Sequence, residues 1–413
     1  MASIRVRPWR AVITAMRFWA QERHVLRQGF VGLGIYAVVG LAAGVVLASM
    51  EGLLEEVAGL IILVPAAIAM RGAVFGALGA RLGTGILTGE FDARPTRGSF
   101  TFQNVEAATL LTLFGSALAA VVARAAAGAF DLPTVSLWKL MVVSMVGGVL
   151  SSIAVFVVVL VLAATAERRD WDMDAIGAPV ITAAGDITTL PALVVGALLL
   201  GVDWLDTVLG AVFLATAVGA TYIGLANPGP IARRIVRESL PVLTYVALID
   251  VLAGTVLATR LDQFIRSPAL LVLIPPFIGL CGSLGGILSA RLGSRLHLGL
   301  LNPAPVPGGP AALEGSVTFL FAFGVFTTIA LLTQAASVVV GFPSPGAGPL
   351  VAISLTGGLF ATVLIVLVAY YSATASYRFG LDPDNFGMPI VTATMDFLGV
   401  LCLVAAIALW GVR

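Results

Sequence analysis

The chain has 413 residues, of which 59% are hydrophobic and only 11% charged, with a mean hydropathy of +1.05. Soluble domains carry about 25% charged residues, so this composition excludes a soluble enzyme or nucleic-acid-binding domain and leaves an all-α integral membrane protein. The 23 basic and 22 acidic residues nearly cancel, and Cys281 and Cys402 both lie in apolar runs, so no disulfide framework is implied.

Residues 1–24, MASIRVRPWRAVITAMRFWAQERH, set arginines among Trp9, Phe18 and Trp19. They lack the apolar core and small-residue cleavage site of a signal peptide, which predicts a basic amphipathic segment on the cytoplasmic leaflet, a disordered tail being the plainer alternative. Apolar spans follow near 29–49, 57–82, 105–127, 137–166, 176–200, 205–226, 239–259, 268–292, 313–335, 349–375 and 386–411. Each is long enough to cross roughly 30 Å of hydrocarbon. With the N-terminus inside, only Arg124, Lys139, Arg260, Arg266 and Arg413 fall on external segments. The positive-inside rule therefore predicts a multi-pass protein of the cell membrane with a cytoplasmic N-terminus and an external C-terminus.

A shift of 210 residues aligns three separate blocks without a gap. RQGFVGLGIYAVVGLAAGVVLA from Arg27 meets RESLPVLTYVALIDVLAGTVLA from Arg237, and VPAAIAMRGAVFGALGARLG from Val64 meets IPPFIGLCGSLGGILSARLG from Ile274. DMDAIGAPVITAAGD, Asp172 to Asp186, meets DPDNFGMPIVTATMD, Asp382 to Asp396. Generic apolar helices match in composition but not in register, so a constant offset points to an internal duplication. The expected organisation is a basic segment over 1–24, a five-helix repeat over 25–202, a linker helix over 203–232 and a second five-helix repeat over 233–413. The odd linker span keeps the repeats parallel, with a pseudo-twofold axis along the membrane normal.

Asp186 lies about ten residues into its span, roughly 15 Å deep at 1.5 Å per residue, and Asp396 is its counterpart. A carboxylate at that depth costs at least about 2.5–3.5 kcal/mol on insertion scales and needs a polar cavity or a partner. No cation in the sequence is duplicated alongside them, so an external cation or a shared proton is expected to relieve their repulsion. Thr182 and Thr392 sit four residues earlier on the same helix faces, and Pro179 and Pro389 are placed to interrupt the helix ladder and free carbonyls. Asp172, Asp174, Asp382 and Asp384 stand at the expected cytoplasmic mouth as a ring of carboxylates, with helix capping as the plainer alternative. All these donors are oxygens, and the two histidines, His24 and His297, lie elsewhere. Hard donors favour magnesium, calcium or manganese, and magnesium suits two carboxylates because it keeps most of its water.

These motifs resemble those of the MgtE-type magnesium transporters and the animal solute carrier family 41. The resemblance rests on the block P-x-x-I-x-x-x-G-x-x-x-G-x-L-x-A-R-L-G and on D-x-D-x-x-G-x-P-x-x-T-A-x-x-D, each present twice. It implies a central pathway between the repeats, with Asp186 and Asp396 at the magnesium site and Mg2+ as the transported ion rather than a cofactor. It also implies a chain that works alone as a pseudo-dimer, with lipid around it and no nucleic-acid partner. The family's Gly-Asn pair in the second span is here Gly72-Ala73 and Gly282-Ser283.

Two charges break the duplication. Arg71 stands where the copy has Cys281, and Asp250 where the first copy has Gly40. Buried charges need partners, so Arg71 and Asp250 are a candidate interface charge pair; the competing reading makes Asp250 an extra cation ligand and Arg71 a gate. Glu106 and Glu314 are expected to favour helix N-termini, and Arg81 and Arg291 to anchor at the interface. The leading expectation is divalent-cation transport, with no enzymatic activity. A cation exchanger coupled to Na+ or H+ is the alternative, and an intramembrane aspartyl protease is disfavoured because Met395 replaces the glycine that precedes Asp186.

Overall fold

In hydrocarbon every backbone N–H and C=O must be satisfied within the chain, and long apolar runs meet that demand as helices. A computed structural model describes residues 8–92, 96–169, 173–226, 229–380 and 387–411, and every regular element in them is helical. A short helix α1 (Pro8–Gln21) precedes the first group, α2 (Arg23–Ser49), α3 (Glu51–Glu56), α4 (Leu60–Thr88), α5 (Phe100–Ala129), α6 (Leu137–Arg169) and α7 (Met173–Leu198). Helix α8 (Asp203–Ala226) leads to the second group, α9 (Pro230–Ala258), α10 (Leu261–Arg266), α11 (Pro268–His297), α12 (Gly309–Val340), α13 (Ala347–Phe379) and α14 (Met388–Trp410). Eleven of these helices are long and apolar enough to cross a membrane, as the hydropathy pattern predicts.

The 210-residue register extends to details that hydropathy does not carry. The six-residue helix α3 begins at Glu51 and its six-residue counterpart α10 at Leu261, while α6 begins at Leu137 and α13 at Ala347. Ser144 donates to the carbonyl of Ser116 at 2.6 Å, and its counterpart Ser354 donates to the carbonyl of Phe326 at 2.7 Å. Likewise Arg81 Nε donates to Asn104 Oδ1 at 2.9 Å and Arg291 Nε to Glu314 Oε2 at 2.7 Å. These arginines tie the second long helix of each group to the third, rather than resting at an interface as the sequence suggests.

The first helix of each group crosses to the other. Helix α2 packs on α11 and α12, and α9 packs on α4 and α5, while each also touches the last helix of its own group, α7 or α14. Small residues make this exchange possible, since lipid offers no hydrophobic drive and packing must supply the association. A Cβ on Gly44 would overlap the backbone carbonyl of Val272, and one on the equivalent Gly254 would overlap that of Ile62. Both helix crossings therefore seat backbone directly against backbone. Helix α8 packs on α6, α5 and α9, and the most apolar stretch of this helix is only 22% buried.

Helix α1 leads into α2 and is tied by side chains to the second group. Trp19 Nε1 donates to Ser316 Oγ at 3.0 Å, and Arg295 stands over the Phe18 ring at 5.6 Å from its centroid. Glu22, between α1 and α2, accepts from Arg291 at 3.2 Å and from Arg295 at 3.3 Å. Both arginines also reach Glu314, whose side chain has no exposed surface. Glu314 is thus the buried centre of an ion-pair network, not a helix-end charge. It occupies the place of Asn104, which explains why Glu106 offers it no match in the sequence.

Candidate functional site

Asp186 lies in the middle of α7 and is buried, with 6% exposure. Its Oδ2 accepts a 2.6 Å hydrogen bond from the phenol of Tyr36 on α2. The ring of Tyr36 fits because α11 carries no side chain at Gly279, where a Cβ would overlap the hydroxyl. One turn further along α11, a Cβ on Gly282 would stand 3.1 Å from Oδ1 of Asp396. Residues three apart share a helix face, so Tyr36 with its bound Asp186 and, one turn on, Asp396 meet the same bare stripe of α11. Asp396 is half-buried and lies within Coulombic reach of both Asp186 and Asp250.

The two halves reach this arrangement differently. Gly72, the counterpart of Gly282, has open space where its Cβ would project. Asp186 is thus oriented by the tyrosine of α2, whereas Asp396 rests against α11 of its own group. Tyr36 has Val246 as its counterpart. The neighbouring Tyr245 instead shares a 2.7 Å hydrogen bond with Thr394, so a tyrosine still joins α9 to α14 but leaves the carboxylate aside.

Thr182 and Thr392 are both half-buried. The hydroxyl of Thr392 donates to the carbonyls of Met388 and Pro389 at 3.1 Å each, within its own first turn. Pro389 opens α14 rather than interrupting it, because a missing N–H costs nothing in the first turn; Pro179 lies within α7. Of the expected mouth residues, Asp172, Asp382 and Asp384 lie outside the described residues, and Asp174 is placed only as part of the α7 backbone.

Arg71 and Asp250 do not pair. Arg71 is 2% exposed and turns into its own group, where Nη1 donates to the carbonyl of Gly148 at 2.6 Å and to Ser152 Oγ at 2.5 Å, and Nη2 to Ser116 Oγ at 2.9 Å. Neutral oxygens on α5 and α6 satisfy most of its fork, so it needs no partner across the interface. The second group fills the same space with carbon: Phe326 replaces Ser116, and its ring lies 4.9 Å from that of Phe277. Asp250 on α9 has no exposure at all, and neither of its carboxylate oxygens has a hydrogen-bond partner.

No three His, Cys, Asp or Glu side chains among the described residues converge closely enough to cage an ion. A tightly caged calcium site needs six to eight oxygens, whereas magnesium is held through one or two carboxylates with its waters kept. The carboxylate arrangement fits the second habit. Tyr36 is the functional candidate that sequence reasoning missed. Its signal was a lone phenol in the middle of an otherwise apolar span.

A bundle of eleven helices fit to cross a membrane, with Asp186 and Asp250 buried among them, defines a polytopic membrane protein. Residues 64–196 and 274–406 each match the model of the MgtE family, divalent cation transporters, in the same 210-residue register. The chain belongs to the MgtE family, and so is a two-repeat transporter rather than an enzyme. It is similar to solute carrier family 41 member 3 of Mus musculus, 23% identical over 370 residues that make up 84% of this chain and 75% of that protein. It is also similar to solute carrier family 41 member 2 of Homo sapiens, 23% identical over 387 residues, 88% of this chain and 66% of that one. No solved structure matches it.

Proposed function

We propose that this protein moves Mg2+ across the cell membrane along a pathway between its two repeats, with Asp186 and Asp396 holding the ion with most of its water retained. The observation that carries this reading is that Tyr36, bound to Asp186, and Asp396 meet one glycine stripe of α11, at Gly279 and Gly282, in a chain whose two halves each match a divalent cation transporter family. Charge supports it as well. Carboxylates within reach of one another at mid-membrane repel, and a divalent cation between them converts that repulsion into attraction.

In this reading Thr182 lends a hydroxyl, while Thr392 offers its oxygen with the proton already committed to its own helix. Asp172, Asp174, Asp382 and Asp384 concentrate cations at the cytoplasmic mouth, with the N-terminus cytoplasmic and the C-terminus external. One chain supplies both halves of the pathway and works as a pseudo-dimer, because α2 and α9 already exchange between the groups.

The test is flux. Purified full-length protein in liposomes loaded with a Mg2+ indicator is expected to admit Mg2+, with Mn2+ and Ca2+ competing and Na+ not. Losing a carboxylate at the metal is expected to lower uptake at least about tenfold in Asp186→Asn and in Asp396→Asn. Normal uptake by both variants would remove the paired site, and absence of any divalent flux in the parent protein would remove the function.

A further inference from the structure

Asp250 is a carboxylate with no evident reason to be where it is. It lies on α9, fully buried, with both oxygens lacking any partner. Leaving a buried carboxylate unpaired costs several kcal/mol, more than the duplication requires, because Gly40 fills the same place in the first repeat without charge. The sequence also makes room for it. Gly40 is pressed onto Pro276, where a Cβ would come within 2.8 Å of the proline Cα. The residue of α4 equivalent to Pro276 is the smaller Ala66.

We propose that Asp250 and Asp396 together form a divalent-cation station on the second repeat's side of the pathway, so that the site is lopsided rather than twofold. This rests on the transport reading above. Three observations converge on it. Asp250 and Asp396 lie within Coulombic reach of each other, on the packed helices α9 and α14. Asp186 already has a donor in Tyr36, while Asp250 has none. Asp396 Oδ1 also lies against Gly282 of α11, where even a Cβ would stand 3.1 Å away, so no side chain of α11 competes with an ion for it. Two carboxylates and several waters complete a magnesium shell. The first repeat cannot build the same station, since its counterpart of Asp250 is Gly40. The ion therefore binds to one side and exchanges with Asp186 only when the Tyr36 hydroxyl releases it.

The full-length protein in detergent is titrated with Mg2+ by calorimetry and by thermal unfolding. Asp250→Asn is expected to weaken Mg2+ binding about 10–100-fold, the range for loss of a ligand-supporting group. It is also expected to raise the melting temperature without Mg2+ and to lose most of the rise that Mg2+ gives the parent protein. Unchanged affinity together with a lowered metal-free melting temperature would make Asp250 a structural residue and overturn the station. A second measurement needs no variant: Mn2+ diffused into crystals of the parent protein is expected to give an anomalous peak between Asp250 and Asp396. A peak confined to the space between Asp186 and Asp396 would overturn this proposal while leaving the transport reading intact. A parent protein that binds but does not move divalent cations would do the reverse.

Discussion

Tyr36 holds Asp186 at 2.6 Å with a phenolic hydroxyl, and a hydrogen bond to a charged group is worth about 1.5–3 kcal/mol. That bond competes with any cation for the same carboxylate, so the tyrosine both orients Asp186 and restrains it. In Tyr36→Phe the ring still fills its place beside Gly279, but the carboxylate loses its donor. The variant is expected to melt earlier than the parent without Mg2+ and to gain more from saturating Mg2+, a difference read directly from paired thermal unfolding curves. An equal gain in both proteins would mean that the ion never reaches Asp186. Arg71 illustrates the opposite economy of a buried charge. Its guanidinium is met by Ser116, Ser152 and the Gly148 carbonyl, whereas the second repeat dispenses with polarity there and stacks Phe277 with Phe326. The sequence made Arg71 conspicuous as a lone charge and Asp250 as another, and pairing them was the economical guess. It failed because neutral oxygens on α5 and α6, invisible to a search for opposite charges, satisfy the arginine within its own repeat.

At the scale of the helices, the exchange of α2 and α9 between groups depends on where backbones touch. Gly254 faces the carbonyl of Ile62 and Gly44 that of Val272; no side chain can swing aside to admit a methyl group. Gly254→Ala is therefore expected to force α9 from α4 and to destabilise the bundle by about 1–3 kcal/mol, the usual cost of overpacking, despite the better helix propensity of alanine. Gly219→Ala on α8, where a Cβ would meet nothing, is the control and should be neutral or slightly stabilising. Equal melting temperatures for the two variants would show that α9 is not seated as described. The sequence disclosed the eleven spans and their 210-residue register, since both depend on hydropathy and spacing along the chain. Which group each first helix joins depends instead on contacts between residues such as Gly44 and Val272, far apart in sequence and both ordinary in composition. Likewise the ion-pair network of Arg291, Arg295, Glu22 and Glu314 needed spatial proximity between α1, α11 and α12 that no periodicity encodes.

For the molecule as a whole, exchanged first helices mean that neither repeat completes its own packing: α4 is covered by α9, and α11 by α2. A free half must find that cover in a second copy of itself, and the two halves differ in how well they can. In a self-pair of the first half, Gly40 would meet Ala66 and the crossing would have room to spare. In a self-pair of the second half, Asp250 would take the place of Gly40 against Pro276, where even a Cβ lies 2.8 Å from the proline Cα. Two such crossings would each drive a carboxylate into the proline, adding an overpacking cost of about 1–3 kcal/mol to the burial that Asp250 already bears without a partner. Residues 1–202 and 203–413 expressed as separate chains are expected to form a one-to-one complex when made together. Made alone, the first half is expected to appear as a dimer by native mass spectrometry and the second to aggregate. A well-behaved dimer of the second half would mean that Asp250 and Pro276 do not enforce the asymmetry. If that were so, the one-sided placement of Asp250 would no longer explain why the duplicated halves have diverged at this crossing.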